Sequence, residues 1–237
     1  MADCLDAALE LTDTTTQKPV IASISMHSPS KKLWDISPPL GPDSPVFPGD
    51  TPYSQTWSAT YGPGCPVNVA ALTLSPHAGA HADAPLHYDP QGATVGALDL
   101  APFLGTCRVV HAIGCGPLVR PAHIAHALHD LPPRLLVRTY ARAPTAWDDA
   151  LTGYAPETIE QLADLGVLLV GIDTASIDPA ASKTLDSHQA IRSRGLRVLE
   201  NLVLDDVPEG DYELIALPLR LVAADASPVR AVLRSLA

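Results

Sequence analysis

Twenty-four prolines and fifteen glycines cut this 237-residue chain into short segments. Proline fixes φ and donates no backbone hydrogen bond, so it ends helices and central strands. Short strands joined by turns and loops are therefore the expected architecture. Residues 38–53 (PPLGPDSPVFPGDTPY) read as a long surface loop. Gln55–Tyr61 and Val67–Leu74 read as strands, the second with an imperfect period of two. Cys107–Ile113, Arg134–Thr139 and Val167–Ile172 are β-branched or leucine-rich runs bounded by turns, the pattern of strands buried on both faces. Tyr212–Leu219 and Val229–Leu233 are further strand-like pieces. Only two helices are expected. Pro121–Leu128 has proline in its first turn, and Pro156–Leu165 has Glu157 and Glu160 early and Gly166 as a stop. The sum is an α/β chain, a β-rich single domain with few helices.

Hydrophobic residues make up 46% of the chain, enough for a substantial core. The formal net charge of -11 repels phosphate backbones, which argues against a nucleic-acid partner. No apolar run reaches the roughly 18 residues of a membrane span. The four cysteines, Cys4, Cys65, Cys107 and Cys115, show no CxxC spacing and are read as reduced, which points to a cytoplasmic setting. Residues 1–25 carry Asp3, Asp6 and Glu10 where a secretory leader would be basic, and the first strand-like segment begins at Leu33. They are expected to be a disordered extension upstream of a start at Met26, with the folded domain over 26–237.

The stretch Ser75–Asp89, SPHAGAHADAPLHYD, carries the chemistry. His77, His81, Asp83 and His87 fall within eleven residues, separated mostly by alanines, Gly79 and Pro85. Four metal-capable side chains on a backbone of small residues make sense when those side chains converge on one point. Gly79 permits close backbone approach, and Pro85 directs the chain just before His87. His81 and Asp83, two apart, share a face of an extended segment. Imidazole with carboxylate suits zinc, manganese or iron(II). The two oxygens of Asp83 could bridge two ions roughly 3.5–4 Å apart. A second group, His123, His126 and His129, recurs every three residues but has only Asp130 as a carboxylate neighbour, and is read as a solvated face. His111, inside an apolar strand, is read as a core residue with a hydrogen-bond partner. Asp173, ending a buried strand, is a candidate for orienting a ligand. No G-x-S-x-G, G-x-G-x-x-G or G-x-x-x-x-G-K-[ST] occurs, so nucleophile-elbow, dinucleotide and P-loop readings fail.

HAGAHADAPLH fits the pattern H-x-G-x-H-x-D-x-P-x-H and resembles the cyclase-like metal hydrolases, the family of the bacterial kynurenine formamidases (arylformamidases). Further likeness lies in Trp34–Pro38, Pro48–Pro52, Gly171–Thr174, Lys183–His188 and Leu204–Pro208, so the resemblance spans roughly residues 33–236. It implies the swivelling β/β/α type of fold. It also implies two zinc ions, with manganese or another divalent metal as alternatives. His77, His81 and Asp83 match the first ion's ligands, with Asp83 bridging, and His188 and Glu200 match the remaining ligands of the second. By position alone His188 and Glu200 would pass for ordinary capping or surface residues. His87 matches the general acid/base. Phe47 falls where the family has a substrate-facing aromatic residue, commonly Trp, and Trp34 is a further candidate to stack on an aromatic ring. The implied activity is hydrolysis of N-formyl-L-kynurenine to L-kynurenine and formate in tryptophan degradation, by a homodimer or larger homo-oligomer. In that chemistry a metal lowers the pKa of water to roughly 7. The alternatives are a related hydrolase of another cyclic or acyl amide, such as isatin, and a non-catalytic metal-binding protein.

Overall fold

The computed structural model describes residues 31–236. The expected extension over residues 1–25 lies outside them. The strands in chain order are β1 Leu33–Asp35, β2 Ser54–Ala59, β3 Val69–Thr73, β4 His81–Asp83, β5 Leu104–His111, β6 Leu118–Val119, β7 Arg134–Arg138, β8 Gly153–Tyr154, β9 Leu169–Ile172, β10 Arg197–Glu200, β11 Gly210–Ile215, β12 Ala226–Pro228 and β13 Val232–Ser235. The α-helices are α1 Pro121–Ile124, α2 Pro156–Asp164 and α3 Asp186–Arg194. Nine strands form one mixed sheet in the order β1-β13-β11-β5-β7-β9-β10-β4-β12. At its centre β5, β7, β9 and β10 run parallel, with β11 antiparallel to β5 and β4 antiparallel to β10.

The apolar runs anticipated as doubly covered strands are three of these central parallel ones, β5, β7 and β9. Alternate residues feed two cores. Val109, Leu136, Leu169 and Leu199 pack on one face with Ile36, Phe103 and Leu214. Val110, Leu135, Val137, Val170, Ile172 and Val198 pack on the other, under Ile159 and Leu162 of α2 and Ile191 of α3. Burying each such side chain stabilises by about 1.5–3 kcal/mol. Helix α2 forms where the sequence places it, with Pro156 opening it and Glu157 in its first turn. Helix α1 closes after four residues and continues as a 3-10 turn, shorter than the expected Pro121–Leu128.

The pair β2–β3 stands apart. It forms its own two-stranded sheet, and Trp57, Val69 and Leu72 on it are all exposed. The imperfect period of two in β3 therefore marks no face buried within the chain. Among the elements that escaped the pattern reading are β4, β10 and α3. Between them they carry His81, Asp83, His188 and Glu200.

Candidate metal centre

Strand β4 is only His81-Ala82-Asp83, yet it is fully buried because it lies between β10 and β12. Its register against β10 sets His81 opposite Glu200 and Asp83 opposite Val198. The turn leading into β4 depends on Gly79, which adopts φ +65; a Cβ there would come within 2.7 Å of Leu40. At the far end of β10, Asn201 takes φ +57 and turns the chain immediately after Glu200. His188 comes from the first turn of α3, the helix that leads into β10.

The two oxygens of Asp83 face different partners. His77 Nδ1 lies 3.0 Å and His81 Nε2 3.5 Å from Oδ1, while His188 Nε2 lies 3.2 Å from Oδ2. Glu200 straddles both sets, with Oε2 3.2 Å from His81 Nε2 and Oε1 3.5 Å from His188 Nε2. Oε1 also accepts the Ile177 N–H at 2.7 Å. His87, at the end of a single 3-10 turn opened by Pro85, completes a close group with Asp83 and His188. All six expected polar residues are thus brought together, across more than a hundred positions of sequence.

Each buried imbalance here points toward a cation. His81 Nε2 and Asp83 Oδ1 are buried with no aligned hydrogen-bond partner, a costly state that coordination would relieve. Meanwhile the opposite nitrogen of each imidazole is held. His81 Nδ1 donates to the Gly79 carbonyl at 2.9 Å, His188 Nδ1 to Asp178 Oδ2 at 2.7 Å, and His77 Nε2 to Asp225 Oδ2 at 3.0 Å. Metal-ligating histidines show this arrangement, with one nitrogen anchored so that the other's lone pair faces the ion. The residues therefore fit one or two divalent cations.

Electrostatics agree. Burial alone would lower the His77 and His188 pKa values, but carboxylates on both sides push His77 up to about 9 and His188 up to about 10. Burial would likewise raise the Asp83 pKa, yet the surrounding imidazoles hold it well below the usual carboxylate range. A cation bound among these groups would displace the protons that the carboxylates favour on the imidazoles.

A cavity of about 320 Å³ opens on this cluster, within the roughly 300–1,000 Å³ of small-molecule pockets. Phe47 and Trp147 meet on its wall edge to face, their ring centroids 5.1 Å apart, with Leu185 and Asn201 nearby. Phe47 lines the cavity. Trp34 does not: it packs edge-on against Tyr212 at β1, and Trp147 supplies the second aromatic ring instead. Asp173 is also corrected. It ends β9 but turns to accept hydrogen bonds from Thr139 N, Thr139 Oγ1 and Tyr140 N, and burial raises its pKa. The carboxylates that hold candidate ligands are Asp225, at His77, and Asp178, at His188; Asp178 also receives the Ser187 and His188 N–H groups and so caps α3. Nothing in the local sequence around Asp178, Asp225 or Trp147 sets them apart from ordinary loop residues. The second histidine group disperses: His123 accepts the Arg120 N–H, His126 reaches Glu209 and His129 pairs with Asp130 at the surface. His111 bonds the Val207 carbonyl at 2.9 Å, as expected of a satisfied histidine.

Known proteins share this architecture. Residues 34–179 match the Cyclase family, and the chain belongs to that family. Within it, the chain is similar to the kynurenine formamidase of Delftia acidovorans, 74% identical over 208 residues, 88% of this chain and 100% of that protein. It is 73% identical to the kynurenine formamidase of Paracidovorax citrulli over 210 residues, 86% of this chain and 97% of that one. Among solved structures, a potential metal-dependent hydrolase with cyclase activity superposes with a TM-score of 0.77 at 28% identity, covering 88% of this chain and all of that one.

Proposed function

We propose that the chain is a metal-dependent amidohydrolase that converts N-formyl-L-kynurenine and water to L-kynurenine and formate, in tryptophan degradation by the kynurenine pathway. The observation that carries the reading is Asp83, a buried carboxylate with separate imidazoles at its two oxygens, beneath a cavity walled by two aromatic rings. The similarity to kynurenine formamidases over nearly their whole length supports the substrate. His77, His81 and Asp83 would hold one zinc ion, and Asp83, His188 and Glu200 a second, with manganese as the alternative metal. Bound there, a divalent cation supplies Lewis acidity toward water and the formyl oxygen.

The chain's own residues do the rest. Phe47 and Trp147 present ring edges and faces to an aryl substrate and hold its formamide toward the cluster. His87 accepts a proton as water adds to the formyl carbon. It returns that proton to the aniline nitrogen as the C–N bond breaks, so formate and the free amine leave together.

A homodimer accompanies this reading. An isolated two-stranded hairpin is marginal in water, and β2–β3 exposes Trp57, Val69 and Leu72. A groove of about 670 Å³ between Pro38, Leu217 and Leu219 offers apolar surface on the same chain. A second copy would cover both. Among the described residues, Cys65, Cys107 and Cys115 form no disulfide; a cytoplasmic setting goes with this reading.

The test is formate release from N-formylkynurenine by purified protein of measured metal content, with isatin as the control substrate. Turnover of the formamide that is lost on chelation and restored by zinc is expected. Turnover of isatin alone, or of neither compound with the metal bound, overturns the assignment.

A further inference from the structure

One carboxylate beside the site has no place in the metal set or the proton transfer. Asp225 immediately precedes β12, and the antiparallel register of β12 on β4 sets it beside Ala84, just past Asp83. Its main chain is fixed by the sheet edge: its carbonyl accepts the Ala84 N–H at 2.8 Å, and the preceding Ala224 carbonyl accepts that of Val95 at 2.9 Å. Its side chain reaches two histidines with a single oxygen. Oδ2 lies 3.0 Å from His77 Nε2 and 3.3 Å from His87 Nδ1. The two rings lean on one another, centroids 4.3 Å apart.

An ionised carboxylate only accepts hydrogen bonds, so each nitrogen facing it must carry the hydrogen. That requirement fixes a hydrogen on one nitrogen of each ring. His77 carries it on Nε2, so Nδ1, 3.0 Å from Asp83 Oδ1, is the nitrogen at which a bound cation would take the place of the second proton. His87 is Nδ1–H, which leaves Nε2 as the nitrogen able to take up and return a proton. We propose that Asp225 is a positioning residue that locks a metal-ligating histidine and the acid/base histidine in complementary tautomers through one shared oxygen. The proposal rests on the roles given above to His77 and His87. It explains why the motif's first and last histidines, ten residues apart, end in mutual contact. It also makes metal retention and proton transfer depend on the same side chain.

The test compares Asp225→Ala and Asp225→Asn with the parent in the full chain, using zinc as the metal probe. Asparagine keeps one acceptor oxygen and serves as the conservative rescue. Removal of such an outer carboxylate typically weakens metal affinity or activity by about 10–100-fold, so Asp225→Ala should lose that much kcat and zinc affinity, with KM within about threefold. In ¹⁵N-imidazole spectra of the zinc-loaded protein, the His87 signals should pass from a single Nδ1–H tautomer to a mixture in Asp225→Ala and return toward the parent pattern in Asp225→Asn. The backbone contacts of residue 225 survive either change, so the fold should persist, and any fall in melting temperature should be no more than weaker zinc binding accounts for. An unchanged His87 spectrum in Asp225→Ala, or an unchanged zinc affinity, overturns the proposal. Failure of the parent to hydrolyse the formamide would instead overturn the function, while the spectra and zinc titration would still decide the role of Asp225.

Discussion

Two dense groups of histidines lie in this chain, and they meet opposite fates. His77, His81 and His87 span eleven residues; His123, His126 and His129 span seven. The second group is the denser, yet its members face separate partners at the surface. The first group converges because its spacers are small, its middle lies in a buried strand between two others, and carboxylates from β10, α3's approach and the β12 edge close around it. Histidine density alone therefore does not make a metal site. What makes one is a backbone that cannot interpose bulk, together with acceptors that hold each ring by its far nitrogen.

The sharpest way to break this contrast is to remove the acceptor at its centre. Asp83→Ala leaves His77, His81 and His188 facing each other in the interior. Loss of one partner of buried ion pairs costs roughly 3–5 kcal/mol, so a large fall in melting temperature should accompany loss of both metal and turnover. Elemental analysis and a thermal melt check this; a variant that keeps stoichiometric zinc would show that Asp83 is not the shared ligand. His87→Ala divides the cluster differently. It should retain the metal but lose about 10²–10⁴-fold in kcat, the usual worth of general acid/base catalysis. Equal loss of metal would move His87 into the ligand set.

The contrast between the two groups was legible in the sequence, because alanine and glycine spacers are a local signal. So were the central strands β5, β7 and β9, whose apolar runs are long enough to read. Strand β4 was not, since three residues carry no periodicity and its burial comes from neighbours far along the chain. Helix α3 hides for another reason: its sequence DSHQAIRSR is mostly polar, and its start is capped by Asp178, ten residues before His188. His188 and Glu200 were reachable only through family likeness. Asp178, Asp225 and Trp147 are single residues in loops, and only tertiary contacts give them meaning. Asp173 and Trp34 show the converse error, where a plausible position along the chain points the side chain elsewhere.

A milder probe uses pH on the metal-stripped protein. The folded pKa values of His77 and His188, about 9 and about 10, lie above the ordinary histidine value of 6.5. Protonation of these rings then favours the folded state. That stabilisation is complete below about pH 6.5 and is lost as pH rises through 9 to 10. The stripped protein should therefore melt progressively lower between pH 7 and pH 10. With zinc bound the rings act as neutral ligands, so this part of the slope should vanish, and zinc binding at pH 7 should release protons. Calorimetry in buffers of different ionisation enthalpy measures that release. A stripped protein whose melting temperature ignores pH over this range would mean that the imidazoles are not held between carboxylates in solution.

The smallest effect belongs to the second histidine group, and its smallness is informative. Replacing His123, His126 and His129 together with alanine removes a backbone-capping contact and two exposed pairs. Exposed ion pairs contribute about 0–1 kcal/mol, so the melting temperature should fall only slightly. Zinc content and kcat should match the parent, because none of the three side chains reaches the cavity. The triple variant removes a third of the chain's nine histidines. Any loss of bound zinc in it would mean that histidine number, rather than the geometry around Asp83, governs metal uptake, and the contrast between the two groups would fail.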